Sequence, residues 1–209
     1  LRYAPEPGEH TAEEFLLERG FPADVLKRLT IVDTPGTNAI IRRHEELTRE
    51  FIPRSDLVLF VTSADRPFTE SERAFLSAIQ EWGKKIVIVL NKADLLEPAE
   101  VEQVVTFIRE NARDLLGFTP EIFPVSARLA QRARAGGGDE VWQASRFETI
   151  ERYILETLDE EQRVRLKLLS PLGVARHLND KYLAVVEDRL GTLQDDFSTL
   201  DNIERQLHL

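Results

Sequence analysis

Apolar and polar positions follow two rhythms along this chain. Four runs are short, apolar and rich in branched residues: Leu29–Val32, Leu57–Thr62, Lys85–Leu90 and Ile122–Val125. They lack polar alternation, which predicts strands buried on both faces, as in a parallel sheet. Leu1–Tyr3 reads as the end of a fifth. Between the runs lie amphipathic stretches of helical length: Ile40–Ile52, Glu70–Trp82, Pro98–Leu116 and Phe147–Leu158. Thr69-Glu70-Ser71-Glu72 has the spacing of a capping box and sets the start of the second helix. Strand alternating with helix predicts an α/β fold, a mostly parallel sheet wrapped by helices. Ala135-Gly136-Gly137-Gly138 predicts an exposed loop.

After Pro171 the rhythm changes. Leu183, Val186, Leu190, Leu193, Phe197, Leu200, Ile203 and Leu207 recur at spacings of three and four. This predicts one helix of roughly 35 residues, about 50 Å long. A lone helix cannot bury such a stripe. It is expected to pack against segments outside this sequence, as a stalk or coiled-coil helix does, or else back onto its own domain. The expected organisation is an α/β domain over residues 1–160 and a helical segment over 161–209.

Composition narrows the functions. The chain has 209 residues, 42% hydrophobic and 31% charged, with a net charge of −10. That is room for one α/β domain and roughly 50–70 residues besides. The acidic balance argues against nucleic acid as a partner. The absence of cysteine excludes disulfides and thiolate metal sites, and His10, His44, His177 and His208 show no ligand spacing. No apolar run approaches the ~20 residues of a membrane span, and no segment reads as a signal peptide. Methionine is absent even at position 1, as expected of a processed piece or fragment.

Three motifs at strand ends carry chemistry. Asn91-Lys92-Ala93-Asp94 follows the run Lys85–Leu90. Guanine presents an N1–H and an exocyclic amine side by side, and one carboxylate accepts both, so Asp94 fits that edge. Adenine has no matching donor pair. Asn91 would reach the ring nitrogen and tie neighbouring loops, and the Lys92 stem would lie over the base plane. Asp33-Thr34-Pro35-Gly36 ends the run Leu29–Val32. Asp33 would hold a water of a Mg²⁺ shell, and Gly36 would let a backbone N–H approach a γ-phosphate. Loss of that phosphate would release the loop. Ser126-Ala127-Arg128 follows Ile122–Val125, and its small residues would let a backbone N–H reach guanine O6.

In this order and on these element ends, the motifs look like three of the five GTPase signatures. The chain resembles the dynamin superfamily, in the fuzzy-onion-like and bacterial dynamin-like branch related to mitofusins. The resemblance is carried by Asp33-Thr34-Pro35-Gly36-Thr37-Asn38, by the stretch from Phe60 through Glu72, and by Asn91-Lys92-Ala93-Asp94. Leu1-Arg2-Tyr3 is similar to the strand after switch I, and Arg165-Leu166-Lys167-Leu168 with Pro171-Leu172-Gly173 to the passage into neck helices. The resemblance implies a P-loop-NTPase-like GTPase domain over residues 1–160, with its first strand and P-loop missing, and a neck segment over 161–209. It implies GTP and GDP with Mg²⁺, a nucleotide site of Asp33, Gly36, Asn91, Lys92, Asp94, Ser126 and Ala127, head-to-head dimers and stalk-mediated oligomers. The loop Ser63–Phe68 would lie near the pairing surface of the heads. Membrane lipid would be met through segments not present here, and the location would be cytoplasmic and peripheral to a membrane, in the plastid stroma at the thylakoid or at a bacterial inner membrane.

No G-x-x-x-x-G-K-[ST] occurs in the sequence, so the phosphate cradle and the Mg²⁺-ligating hydroxyl are expected elsewhere. Thr37 stands where Ras-type enzymes carry a water-orienting glutamine. No catalytic residue is therefore assigned within these residues, and hydrolysis is expected of the parent protein alone. Two other readings stay open: a non-catalytic assembly module on a GTPase fold, and a small regulatory GTPase of another class.

Overall fold

The computed structural model of the chain describes residues 1–13, 16–34, 51–157 and 160–207. Two three-stranded sheets are formed. The first joins β1 (Arg2–Tyr3), β2 (Gly8–Glu13) and β3 (Leu16–Phe21); the second joins β4 (Leu57–Ser63), β5 (Lys85–Asn91) and β6 (Glu121–Pro124). The helices are α1 (Glu70–Gln80), α2 (Pro98–Leu116), α3 (Ala127–Arg132), α4 (Gly138–Ser145), α5 (Phe147–Thr157) and α6 (Glu160–Leu207).

The second sheet is parallel throughout, in the order β4-β5-β6. Its middle strand explains its sequence. Ile86, Val87, Ile88, Val89 and Leu90 are all buried, because helices cover both faces. Ile86, Ile88 and Leu90 point to one side, where they meet Phe60, Leu76 and Ile79 of α1, and Ile108, Ala112 and Leu116 of α2. Val89 points to the other, against Val125 and Ile150 of α5. Each such side chain contributes roughly 1.5–3 kcal/mol by leaving water. This small two-sided core holds the sheet together.

Local signals set several boundaries. The capping box expected at Thr69 is formed, with Thr69 N donating to Glu72 Oε2 at 2.7 Å. Pro98 opens α2 behind a second box, in which Glu97 N donates to Glu100 Oε2 at 2.8 Å, and Gly117 closes it in the left-handed region at φ 76°.

Four expectations need correction. Leu29–Val32 is not a buried strand: it runs without a ladder, and Val32 is 48% exposed. Among the described residues it pairs with Leu1, whose N donates to Ile31 O at 2.6 Å while Ile31 N donates to Leu1 O at 3.0 Å. An extended apolar run becomes a buried strand only where neighbours cover it, and no strand flanks it among the described residues. Likewise β1 does not join the central sheet; it pairs in parallel with β3, beside the antiparallel β2–β3 hairpin. Charged pairs accompany the hairpin: Arg19–Glu9 crosses it and is exposed, and Glu18, half-buried, meets Arg2 of β1. The glycine-rich stretch is not a plain loop, because Ala133–Gly137 winds on as a π-type turn between α3 and α4, kinked at Gly136 (φ 105°). The expected helix Ile40–Ile52 lies almost wholly outside the described residues; Ile52 is buried.

The fourth correction concerns the long helix. It starts at Glu160, runs 48 residues and carries Pro171 inside it, so Pro171 is not its boundary. Proline removes one backbone donor, and the turns on either side carry the helix past it. At 1.5 Å per residue it is about 70 Å long. From Leu183 to Ile203 its apolar stripe is exposed, Leu190 at 53%. The helix meets the core where Gly173 approaches Gly83 and the His177 ring lies 4.3 Å from that of Trp82.

That approach leaves no room for a side chain. A Cβ on Gly173 would stand 2.9 Å from Trp82 O and 3.2 Å from Gly83 O, whereas one on Gly191 meets nothing within 4 Å. Gly173→Ala gains about 1 kcal/mol of helix propensity but forces backbone atoms apart, a strain of about 1–3 kcal/mol. We expect Gly173→Ala to lower the thermal midpoint and Gly191→Ala to raise helix stability by about 0.5–1 kcal/mol, both followed by circular dichroism. A raised midpoint for Gly173→Ala would refute the close approach.

Candidate guanine-recognition site

Parallel pairing brings the carboxyl ends of β4, β5 and β6 to one edge, where open α/β sheets bind ligands. Ser63 stands opposite Asn91, and Leu90 opposite Pro124. The loops that leave these points are stitched together by their backbones. Ala64 N donates to Asn91 O at 2.9 Å, Val125 N to Leu90 O at 2.9 Å, and Ala93 N to Val125 O at 3.0 Å.

The Asn91 side chain adds the tie between loops. Its carbonyl oxygen accepts from Lys92 N at 2.8 Å and from Ala127 N at 3.1 Å. One amide oxygen thus secures the turn after β5 and the first turn of α3. Lys92 sits in the left-handed region (φ 63°, ψ 28°), a conformation few side-chain-bearing residues adopt. Its Nζ lies 3.2 Å from Asp65 Oδ1, to which the Ser63 hydroxyl also donates. The Ser63 hydrogen bond, and next the Lys92 ammonium, hold the Asp65 carboxyl below its ordinary range.

Asp94 is the most enclosed carboxylate of the corner, its side chain 9% exposed. The Ser126 hydroxyl donates to it and is the largest influence on its titration. Burial opposes that influence, and the Arg128 guanidinium, with Nη2 2.5 Å from Oδ2, reinforces it. The net result is an Asp94 carboxyl held below the usual range. Ser126 is itself buried and caps α3, its Oγ accepting from Leu129 N at 3.1 Å. Its backbone N donates to Ser145 O at 2.9 Å. Both backbone N–H groups of the Ser126-Ala127 pair are therefore engaged here, and a guanine oxygen would have to share or displace an acceptor.

Five residues singled out in the sequence, Asn91, Lys92, Asp94, Ser126 and Ala127, thus meet in one corner. Asp33 is exposed at the end of the extended run. The residues that would complete its loop, including Gly36, lie outside the described residues. Among the described residues no three His, Asp or Glu side chains cluster as a metal site. A single carboxylate such as Asp33 fits a water-mediated place beside Mg²⁺ and cannot alone hold the ion. Two members of the corner, Asp65 and Arg128, stood in the sequence only inside the loop Ser63–Phe68 and the motif Ser126-Ala127-Arg128, with no role of their own. Their signal was cross-strand register: Ser63 opposite Asn91 brings Asp65 beside Lys92, and Arg128 follows the loop that Asn91 ties down.

A helix-covered parallel sheet with N-K-x-D at the end of its central strand defines a GTPase-like α/β domain. Residues 13–93 match the dynamin family. The chain is 41% identical over 202 residues to the probable transmembrane GTPase FZO-like, chloroplastic, of Arabidopsis thaliana, covering 87% of this chain and 22% of that protein. It is 27% identical over 150 residues to dynamin-like protein 1 of Campylobacter jejuni, covering 67% of this chain and 21% of that protein. A solved structure of an oligomerised bacterial dynamin pair shares the fold, with a TM-score of 0.61 at 24% identity over 92% of this chain and 36% of that one. The chain belongs to the dynamin superfamily of GTPases, in the branch of bacterial dynamin-like and FZO-like proteins. It spans about a fifth of the length of those two relatives.

The lowered Asp94 carboxyl has a signed consequence. A depressed native pKa stabilises the fold above the unfolded value, and that stability is lost as pH falls through the native value. A carbon-detected titration of Asp94 should show a midpoint below 3.8. Ser126→Ala and Arg128→Ala should each raise that midpoint, because both side chains favour the ionised carboxylate. An unchanged midpoint in either variant would show that its side chain does not act on Asp94.

Proposed function

We propose that these residues form the guanine-recognition and γ-phosphate-sensing part of a GTP-hydrolysing dynamin-like protein that remodels membranes through nucleotide-dependent pairing of its heads. The observation that carries this reading is Asp94. Its carboxylate is held ionised at the end of β5, beside Asn91, with the loop after β6 tied to the same amide. In this reading Asp94 accepts the N1–H and amine of guanine, Asn91 reaches the ring nitrogen, and the Lys92 stem covers the base. Ser126 keeps Asp94 charged, and Ala127 lies near the guanine oxygen. Asp33 orients a water of Mg²⁺, while Gly36 senses the γ-phosphate. Magnesium, when bound, neutralises the phosphate charge; the cradle and its hydroxyl ligand are assigned to parts of the whole protein other than these residues.

Residues 1–160 act as the nucleotide-binding part and 161–209 as a neck. The exposed stripe of α6 supports this, since eight large apolar side chains from Leu183 to Ile203 stand in water and ask for a partner. We assign them to helices of the same protein or to a second copy. Self-association is in keeping with the solved structure of an oligomerised dynamin pair, which is described as sensing and tethering membranes. No described helix is long and apolar enough to cross a membrane, and the net charge of −10 gives no electrostatic pull toward anionic lipid or nucleic acid. Peripheral attachment on the cytoplasmic or stromal side through other segments fits both facts.

Two measurements test the proposal. In the full-length protein Asp94→Asn should weaken GTP by about 1.5–3 kcal/mol and turn preference toward xanthosine triphosphate, because the new amide donates to the xanthine oxygen. Equal GTP and ATP affinity in the wild type would sink the base reading. For the neck, sedimentation velocity of the 209-residue chain should show association that Leu190→Glu with Leu193→Glu abolishes. A monomer in both cases would rule out the stripe as an interface.

A further inference from the structure

Arg128 occupies the very carboxylate assigned to the base. Its Nη2 is 2.5 Å from Asp94 Oδ2, its own side chain is 75% exposed, and Asp94 is 9% exposed. The chemistry of the two candidate occupants is the same. The edge of guanine that a carboxylate reads is an N1–H and an amine on one carbon, which is a guanidine fragment. Arginine carries that fragment on a flexible stem, with N–H donors in a planar fork.

We propose that Arg128 is a built-in stand-in for guanine, docking on Asp94 when the base is absent and exchanging with the base when it binds. This rests on the reading of Asp94 as the base-reading carboxylate. An enclosed carboxylate without a donor is costly, and Arg128 supplies the donor while the site is empty. The exchange is cheap on the arginine side, because the exposed guanidinium returns to water. The choice between bases stays with Asp94: guanine offers it two donors in place of the guanidinium, and adenine presents an acceptor instead. Arg128 lowers apparent affinity for any base that must displace it by the fraction of time it holds the site.

The test uses the full-length protein and the fluorescent nucleotides mant-GDP and mant-ADP, with xanthosine diphosphate for the Asp94→Asn background. Arg128→Ala and Arg128→Gln should each tighten mant-GDP by about fivefold, the upper range for an exposed ion pair, with faster association. In Asp94→Asn, where no carboxylate remains for the guanidinium, adding Arg128→Ala should leave xanthosine diphosphate affinity unchanged. A wild type without preference for mant-GDP over mant-ADP overturns the Asp94 reading and the exchange with it. A retained preference, with both Arg128 variants binding mant-GDP no tighter than wild type, overturns the exchange alone. A gain that persists in the Asp94→Asn background also overturns it, because Arg128 would then act on something other than Asp94.

Discussion

Parallel pairing of β5 between β4 and β6 is the constraint from which the rest of the described structure follows. Five consecutive apolar residues, Ile86 to Leu90, are buried because helices cover both faces of that strand. A slip of one residue would exchange the faces and expose the wrong set, so the register is firmly held. That register sets Ser63 opposite Asn91 and Leu90 opposite Pro124. The loops beyond these residues inherit their positions from the core and need only a few hydrogen bonds to complete the corner. Asn91 supplies two of them through one oxygen. The precision of the corner is thus a property of hydrophobic packing, expressed in polar groups.

Elements whose signals are local were legible in the sequence. The α2 bounds were anticipated in full, because Pro98 opens that helix and Gly117 closes it. The β5 run has no polar interruption, and a capping box marks the start of α1. Elements whose existence depends on distant neighbours were not. Leu29–Val32 has the composition of a buried strand but, among the described residues, only Leu1 beside it. The hairpin β2–β3 is polar and charged, so no apolar rhythm announced it. Pro171 was taken as a boundary on local grounds, yet one missing donor does not stop a helix whose adjoining turns are intact. In each case tertiary context outweighed the local signal.

The corner shows the same division. N-K-x-D could be read directly, because its residue types already specify the chemistry of a guanine edge. Asp65 and Arg128 could not, since one acts through a cross-strand neighbour and the other through a side-chain rotamer. Both are charged, exposed residues of kinds that usually face water without consequence. What distinguishes them is the partner. Asp65 accepts from the Lys92 ammonium over the turn, and Arg128 donates to a carboxylate that is nearly enclosed. Neither partnership has a sequence signature beyond the register that produces it.

The same strand also relates the corner to the long helix. β5 begins at Lys85, two residues after Gly83, and ends at Asn91. Gly83 is where Gly173 of α6 comes within van der Waals range of the backbone, and Trp82 beside it stacks on His177. One buried strand of seven residues, about 23 Å long, thus has the candidate base corner at one end and the seat of α6 at the other. A strand packed on both faces does not bend easily, so its two ends move as one body.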